Sequence, residues 1–314
     1  MSGSLDQRAL KSHSVSSEPL AETIERHAAR IRREGDKPYV SVARQLELLE
    51  QLSQFEFGQF LLQNQGINGY WTHYMLTHPW RGRVTGKNQY GQPLHDLEKF
   101  ILDRAPTMLA TQQRFMHFLS ENQKAVKNHA RLACIPSGSL GELLYLDYAG
   151  INQIELIGID YDAAALSDAH ALAEKLGLSH FTQLMQGDAW QLHLRDEFDL
   201  ISSNGLNIYE EDEVKVTELY RQFYTALKPG GKLVTSFLTF APQSGEDCEW
   251  RLEQINQQDL LLQKIIFVDI LEAKWRCYRS SAQTRTQLEA AGFRGIEFIY
   301  DDAHLFPTVI AHKS

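Results

Sequence analysis

The chain has 314 residues, 43% of them hydrophobic, and carries 31 Lys and Arg against 40 Asp and Glu, a net charge of -9 at pH 7. That content supports one large α/β domain with a smaller appendage, excludes wholesale disorder, and sets most of the surface against a nucleic-acid phosphate backbone. Three widely spaced cysteines without a CxxC pair read as reduced thiols, no apolar run has the length of a membrane span, and no signal-peptide core is present, so a cytoplasmic protein is expected.

Residues 1–18 are Ser-rich and are expected to form a mobile tail. From Pro19 the spacing of Leu20, Ile24, Ala28 and Ile31 predicts a helix ending at Gly35, and a second helical pattern covers 42–62. Between Gly66 and Gly91 lies an aromatic, glycine-punctuated stretch. Its Tyr70, Trp71 and Tyr74 either pack into the core of this region or wall a substrate site. Helix resumes near Leu94 and runs, with a break at Pro106, to about Asn128. Residues 19–129 therefore read as a mainly helical N-terminal cap.

From Arg131 the rhythm changes. Short apolar strands (132–135, 154–159, 181–185, 198–202 and 232–238) alternate with helices (142–148, 163–176 and 212–227), the pattern of a doubly wound parallel sheet. Residues 241–280 read as a helical insertion or lid, with a strand as the alternative for 265–271. A helix over 283–291 stops at Gly292, and two strands around 295–300 and 305–311 predict an antiparallel finish. Residues 130–314 thus form the second expected domain.

The glycine-bearing turn Pro136-Ser137-Gly138-Ser139-Leu140-Gly141 follows the first strand, and Asp160 ends the second, nineteen residues after Gly141. A tight loop lets backbone approach a ligand, and a carboxylate at the next strand end can accept from a ribose diol, so the pair suits an adenosine-type cofactor. Asp188 follows the third strand in Gln186-Gly187-Asp188-Ala189, and Ser202-Ser203-Asn204-Gly205 ends the fourth. Asp160 and Asp188 have the alternative reading of loop acids or helix caps, and Asp162 reads as an N-cap. Leu227-Lys228-Pro229-Gly230-Gly231-Lys232-Leu233 reads as a helix stop turning into a strand.

At this turn the chain resembles the class I S-adenosylmethionine-dependent methyltransferases. The endings Ala290-Ala291-Gly292-Phe293 and Phe306-Pro307-Thr308-Val309-Ile310-Ala311 resemble that family's last helix and closing strand. The resemblance covers about 130–313 and implies a Rossmann-like, seven-stranded, mostly parallel sheet with an antiparallel last strand. It implies S-adenosylmethionine as cofactor and S-adenosylhomocysteine as product. Pro136, Ser137, Gly138 and Gly141 would face the methionine portion, Asp160 the ribose, Tyr161 the adenine, Asp188 and Ala189 the adenine edge, and Asn204 and Gly205 the sulfonium. One departure stands out: the family pattern Asp-x-Gly-x-Gly-x-Gly places an acid in the first strand, and this chain has none there, so another residue must hold the methionine amino group.

Candidate general bases are His73, His78, Tyr209 and Glu210, with none preferred. The twelve histidines show no paired metal spacing, so no metal is expected. The fourth strand lacks the Asn/Asp-Pro-Pro-aromatic ending associated with base methylation. A small-molecule or lipid-like acceptor is therefore favoured, with protein side chains next. The rival readings are a nicotinamide-dependent oxidoreductase and a non-catalytic cofactor-binding scaffold. Oligomeric state is not legible.

Overall fold

The computed structural model describes residues 18–242, 244 and 248–314. The expected tail before Glu18, and residues 243 and 245–247 of the expected insertion, lie outside the described residues. Two compact units emerge: one takes the chain up to Leu109 together with Ile255–Arg276, the other Ala110–Gln254 and Cys277–Ser314.

The first unit is helical. Its helices are α1 (Leu20–Glu34), α2 (Val42–Leu52), α3 (Glu56–Asn64), α4 (Gly69–Thr77), α5 (Gly82–Thr85) and α6 (Asp96–Asp103). The i, i+4 spacing of α1 buries Thr23, His27, Ala28 and Ile31, and Ser41 starts α2 by accepting from the Arg44 amide at 3.2 Å. The single pattern expected over 42–62 is two helices, and the aromatic stretch after Gly66 is itself helical, capped by Asn68. Leu48, Leu52, Phe57, Leu61, Trp71, Phe100 and Ile101 form a core with Ile265, Ile266 and Ile270. That shared core takes 255–276, expected as part of an insertion in the second domain, into the helical unit. Ile265–Ile270 is a π-helical segment, not a strand.

The second unit is built on a seven-stranded sheet. Its elements are α7 (Pro106–Gln123, joining this unit from Ala110), β1 (Arg131–Cys134), α8 (Gly141–Leu144), β2 (Glu155–Asp160), α9 (Ala163–Lys175), β3 (Thr182–Gln186), β4 (Phe198–Ser203), α10 (Glu213–Ala226) and β5 (Leu227–Ser236). After α11 (Gln257–Lys264), which belongs to the first unit, come α12 (Ser281–Ala291), β6 (Arg294–Ile299) and β7 (Thr308–His312). The strand order is β3-β2-β1-β4-β5-β7-β6, with β7 antiparallel to both β5 and β6 and every other pairing parallel. The chain therefore has the Rossmann-like doubly wound fold expected, including the antiparallel last strand. Central strands buried on both faces read as continuous apolar runs, as in Leu156–Ile159 and Leu200–Ile201.

The Lys228-Pro229-Gly230-Gly231 segment is not a free turn. It lies within β5, where pairing passes from Phe198 opposite Leu227 to Leu200 opposite Lys232, so the extra residues form a bulge. Gly230 supplies the left-handed backbone (φ 76°), and a side chain on Gly231 would meet the Lys228 carbonyl at 2.8 Å.

Candidate active site

The sheet reverses its winding between β1 and β4, both parallel, and the crevice beyond their carboxyl ends is where a doubly wound fold binds ligands. The Pro136–Gly141 loop leaves β1 at that point. Its shape is set from β2: the Ser137 amide donates to the Ile159 carbonyl at 2.9 Å, and the Gly138 amide donates to Asp160 Oδ2 at 2.9 Å. Gly138 and Leu140 both adopt left-handed backbone (φ 47° and 60°). Gly158 permits the close approach, since a Cβ there would lie 2.7 Å from Leu184 Cδ2 and 3.0 Å from Ser137 Cβ.

Asp160 is 2% exposed and is already at work within the loop. Its Oδ1 accepts from the Asp162 amide at 3.0 Å while Oδ2 holds Gly138. Each carboxylate oxygen has a second lone pair, so these bonds leave acceptor capacity. Asp162 is the N-cap of α9, accepting from the Ala164 amide at 2.9 Å. Asp188 accepts from the Trp190 amide at 2.9 Å, beside buried Ala189, and so shapes its own turn. Tyr161 is half-buried and its carbonyl accepts from Gln186 Nε2 at 3.0 Å.

At the end of β4, Asn204 donates from Nδ2 to Glu142 Oε1 at 3.2 Å and accepts from Ser236 Oγ at 3.0 Å. Gly205 follows in left-handed backbone (φ 91°). Ser202 Oγ also donates to Glu142, and Asn122 of α7 donates to Ser202 Oγ at 3.1 Å and to the Glu142 carbonyl at 3.2 Å. Burial pushes the Glu142 carboxyl above its ordinary range, against the opposing pull of Ser202, Arg114 and Asn204. Glu142, 7% exposed at the start of α8, is the site residue the sequence did not single out. The available signal was an acid placed directly after Gly141, in a chain whose first strand lacks one.

The base candidates divide between the two units. Glu210 accepts from the Asp212 amide at 2.9 Å and pairs with Lys215, and its carbonyl accepts from buried Arg279 at 2.7 Å. Tyr209 closes the short 3-10 turn before it. His73, His78, Tyr70, Trp71 and Tyr74 belong to the helical unit. His78 is 1% exposed, bonded through Nε2 to Asp103 at 2.9 Å and pressed against Gly82, and burial lowers its pKa. Trp71 lies in the core, stacked on Phe57 with ring centres 5.1 Å apart; Tyr74 donates to Glu98 at 2.9 Å, and Tyr70 is partly exposed. No group of His, Cys, Asp and Glu suited to a metal ion occurs among the described residues, and no helix there is long and apolar enough to cross a membrane.

A family profile described as a methyltransferase domain matches residues 134–231, the stretch from the end of β1 into β5. The resemblance to the class I S-adenosylmethionine-dependent methyltransferases is borne out over this stretch, which is a methyltransferase domain. A crystal structure from Bordetella parapertussis, described as a possible exported protein, is 44% identical over 94% of this chain and 95% of that one, with a TM-score of 0.87. Magnesium protoporphyrin IX methyltransferase from Synechocystis PCC 6803, solved with bound S-adenosylhomocysteine, is 14% identical over 78% of this chain and 99% of that one, with a TM-score of 0.50, a likeness of fold. No curated protein matches at a significant level. S-adenosylmethionine is the cofactor of this methyltransferase family, and the first-strand acid of the family pattern is absent here while Glu142 stands buried at the neighbouring helix start.

Proposed function

We propose that the chain transfers the methyl group of S-adenosylmethionine to a small-molecule or lipid-like acceptor, releasing S-adenosylhomocysteine. The observation that carries this reading is the pair of buried carboxylates, Asp160 and Glu142, that flank the Pro136–Gly141 loop at the β1/β4 crevice. They suit a ligand with a diol at one end and an ammonium at the other. Asp160 keeps the loop in place and offers its remaining lone pairs to the ribose hydroxyls. Tyr161, Asp188 and Ala189 border the adenine, and the amides of Pro136–Gly141 (Pro136 itself lacking the donor) face the amino-acid end. Glu142 takes the role of the missing first-strand acid, oriented by Ser202 and Asn204.

When bound, the cofactor supplies a methyl group already activated on a sulfonium, which a nucleophile of the acceptor takes up as the carbon–sulfur bond breaks. The protein's part is then to hold the partners in line and to exclude water. Asn204 and Gly205 shape the end of β4 for that alignment. Three free cysteines favour a cytoplasmic place of action, although the Bordetella relative is described as possibly exported.

A second reading is a cofactor-binding protein without turnover, favoured by one observation: the base candidates His78 and Glu210 are engaged in holding their own fold. Turnover separates the two. Incubating the protein with S-adenosylmethionine and the small-molecule fraction of a cell extract should release S-adenosylhomocysteine faster than the protein or nucleic-acid fractions do. Release equal to the no-acceptor control in every fraction would favour the non-catalytic reading.

A further inference from the structure

We propose that Arg114 is the counter-ion of a carboxylate carried by a ligand bound at the carboxyl edge of the sheet. This rests on the methyl-transfer reading of the same site. Arg114 lies on α7 and is 3% exposed. Its guanidinium stacks over the Phe306 ring, 3.8 Å from the centroid, just ahead of β7. Two turns further along α7, Asn122 reaches the end of β4 through Ser202. Arg114 is thus held by the helix that lines the β1/β4 crevice.

Its donors are unspent. Among the described residues none accepts a hydrogen bond from Arg114 or forms an ion pair with it, and its Nε is closed off from solvent. The two acids within electrostatic reach, Glu142 and Asp301, are turned to other donors. Asp301 accepts the amides of Ala303, Leu305 and Phe306 at 3.2, 3.1 and 2.7 Å, and Glu142 accepts Ser202 and Asn204. A buried cation without an acceptor is costly, and one aromatic ring offsets only part of that. The planar fork matches a carboxylate through two parallel bonds. A phosphate dianion fits less well, because two acids already face the guanidinium.

A carboxylate can reach this site from the amino-acid end of the cofactor or from the acceptor, and titration distinguishes them. Wild type and Arg114→Met are titrated with S-adenosylhomocysteine, with 5′-methylthioadenosine, which lacks the amino-acid end, and, in the homocysteine complex, with acetate, benzoate and succinate. The wild-type titration comes first: no binding of S-adenosylhomocysteine there would sink the methyl-transfer reading and not this inference alone. Loss of about tenfold or more for S-adenosylhomocysteine, with 5′-methylthioadenosine unchanged, places the cofactor's carboxylate on Arg114. Unchanged S-adenosylhomocysteine with loss of the simple carboxylates places an acceptor carboxylate there. Affinities alike in both proteins, or 5′-methylthioadenosine weakened as much as S-adenosylhomocysteine, overturn the proposal. Should Arg114→Met fail to fold, Arg114→Lys carries the same test, because it keeps the charge and loses the fork.

Discussion

Asp160 serves the loop and, in the proposed reading, the ligand, so its removal combines two losses. Asp160→Ala should weaken S-adenosylmethionine binding by about 1.5–3 kcal/mol, the range of charge-assisted hydrogen bonds. Unchanged affinity by calorimetry would leave the carboxylate a purely structural clamp on Gly138. Glu142 yields a test of a different kind. Burial makes it hold its proton more tightly folded than unfolded, so stability falls as pH rises from the ordinary carboxylate value toward the raised folded one. Glu142→Gln abolishes that fall. The variant's melting temperature minus that of wild type should climb as pH rises above the ordinary carboxylate value of 4.5; a flat difference would show that the Glu142 carboxyl is not perturbed. At this scale the sequence spoke clearly where a residue type and its place before a helix coincide, as at Asp162, the N-cap of α9. Glu142 was silent because one acid in a short helix has no spacing to mark it, and its burial depends on Ser202, Asn204 and Asn122 arriving from far along the chain.

At the scale of elements, short apolar strands alternating with longer helices made the sheet legible. Their boundaries moved by a residue or two in most cases. The Lys228–Gly231 segment was misread because Gly230's left-handed backbone serves a turn and a bulge equally well, and only the register against β4 tells them apart. Gly158 tests how β2 positions the loop. Gly158→Ala should cost about 1–3 kcal/mol from overpacking against Leu184 and Ser137, and should lower S-adenosylhomocysteine affinity as the loop shifts. Ser280 is the matching control. It forms a capping box with Gln283 at the start of α12, so Ser280→Ala should cost about 1 kcal/mol while leaving that affinity unchanged. A variant pair with the opposite pattern in chemical denaturation and calorimetry would mean that β2 does not organise the site.

The molecule as a whole divides along lines that periodicity does not show. The insertion 255–276 completes the helical core through Ile265, Ile266 and Ile270, and no local pattern announces a partner more than a hundred residues away. The placement of the proposed cofactor residues in one unit and of the aromatic cluster in the other predicts where a ligand leaves its mark. S-adenosylhomocysteine should slow amide exchange over 136–141, 158–162 and 187–190; protection confined to the helical unit would misplace the site. The most direct test of the central claim is calorimetric titration of the purified protein with S-adenosylmethionine and S-adenosylhomocysteine, with NAD and NADH as controls. The account predicts micromolar binding of the sulfur pair and none of the nicotinamides. Folded protein that binds neither sulfur compound, or that binds the nicotinamides instead, would contradict it.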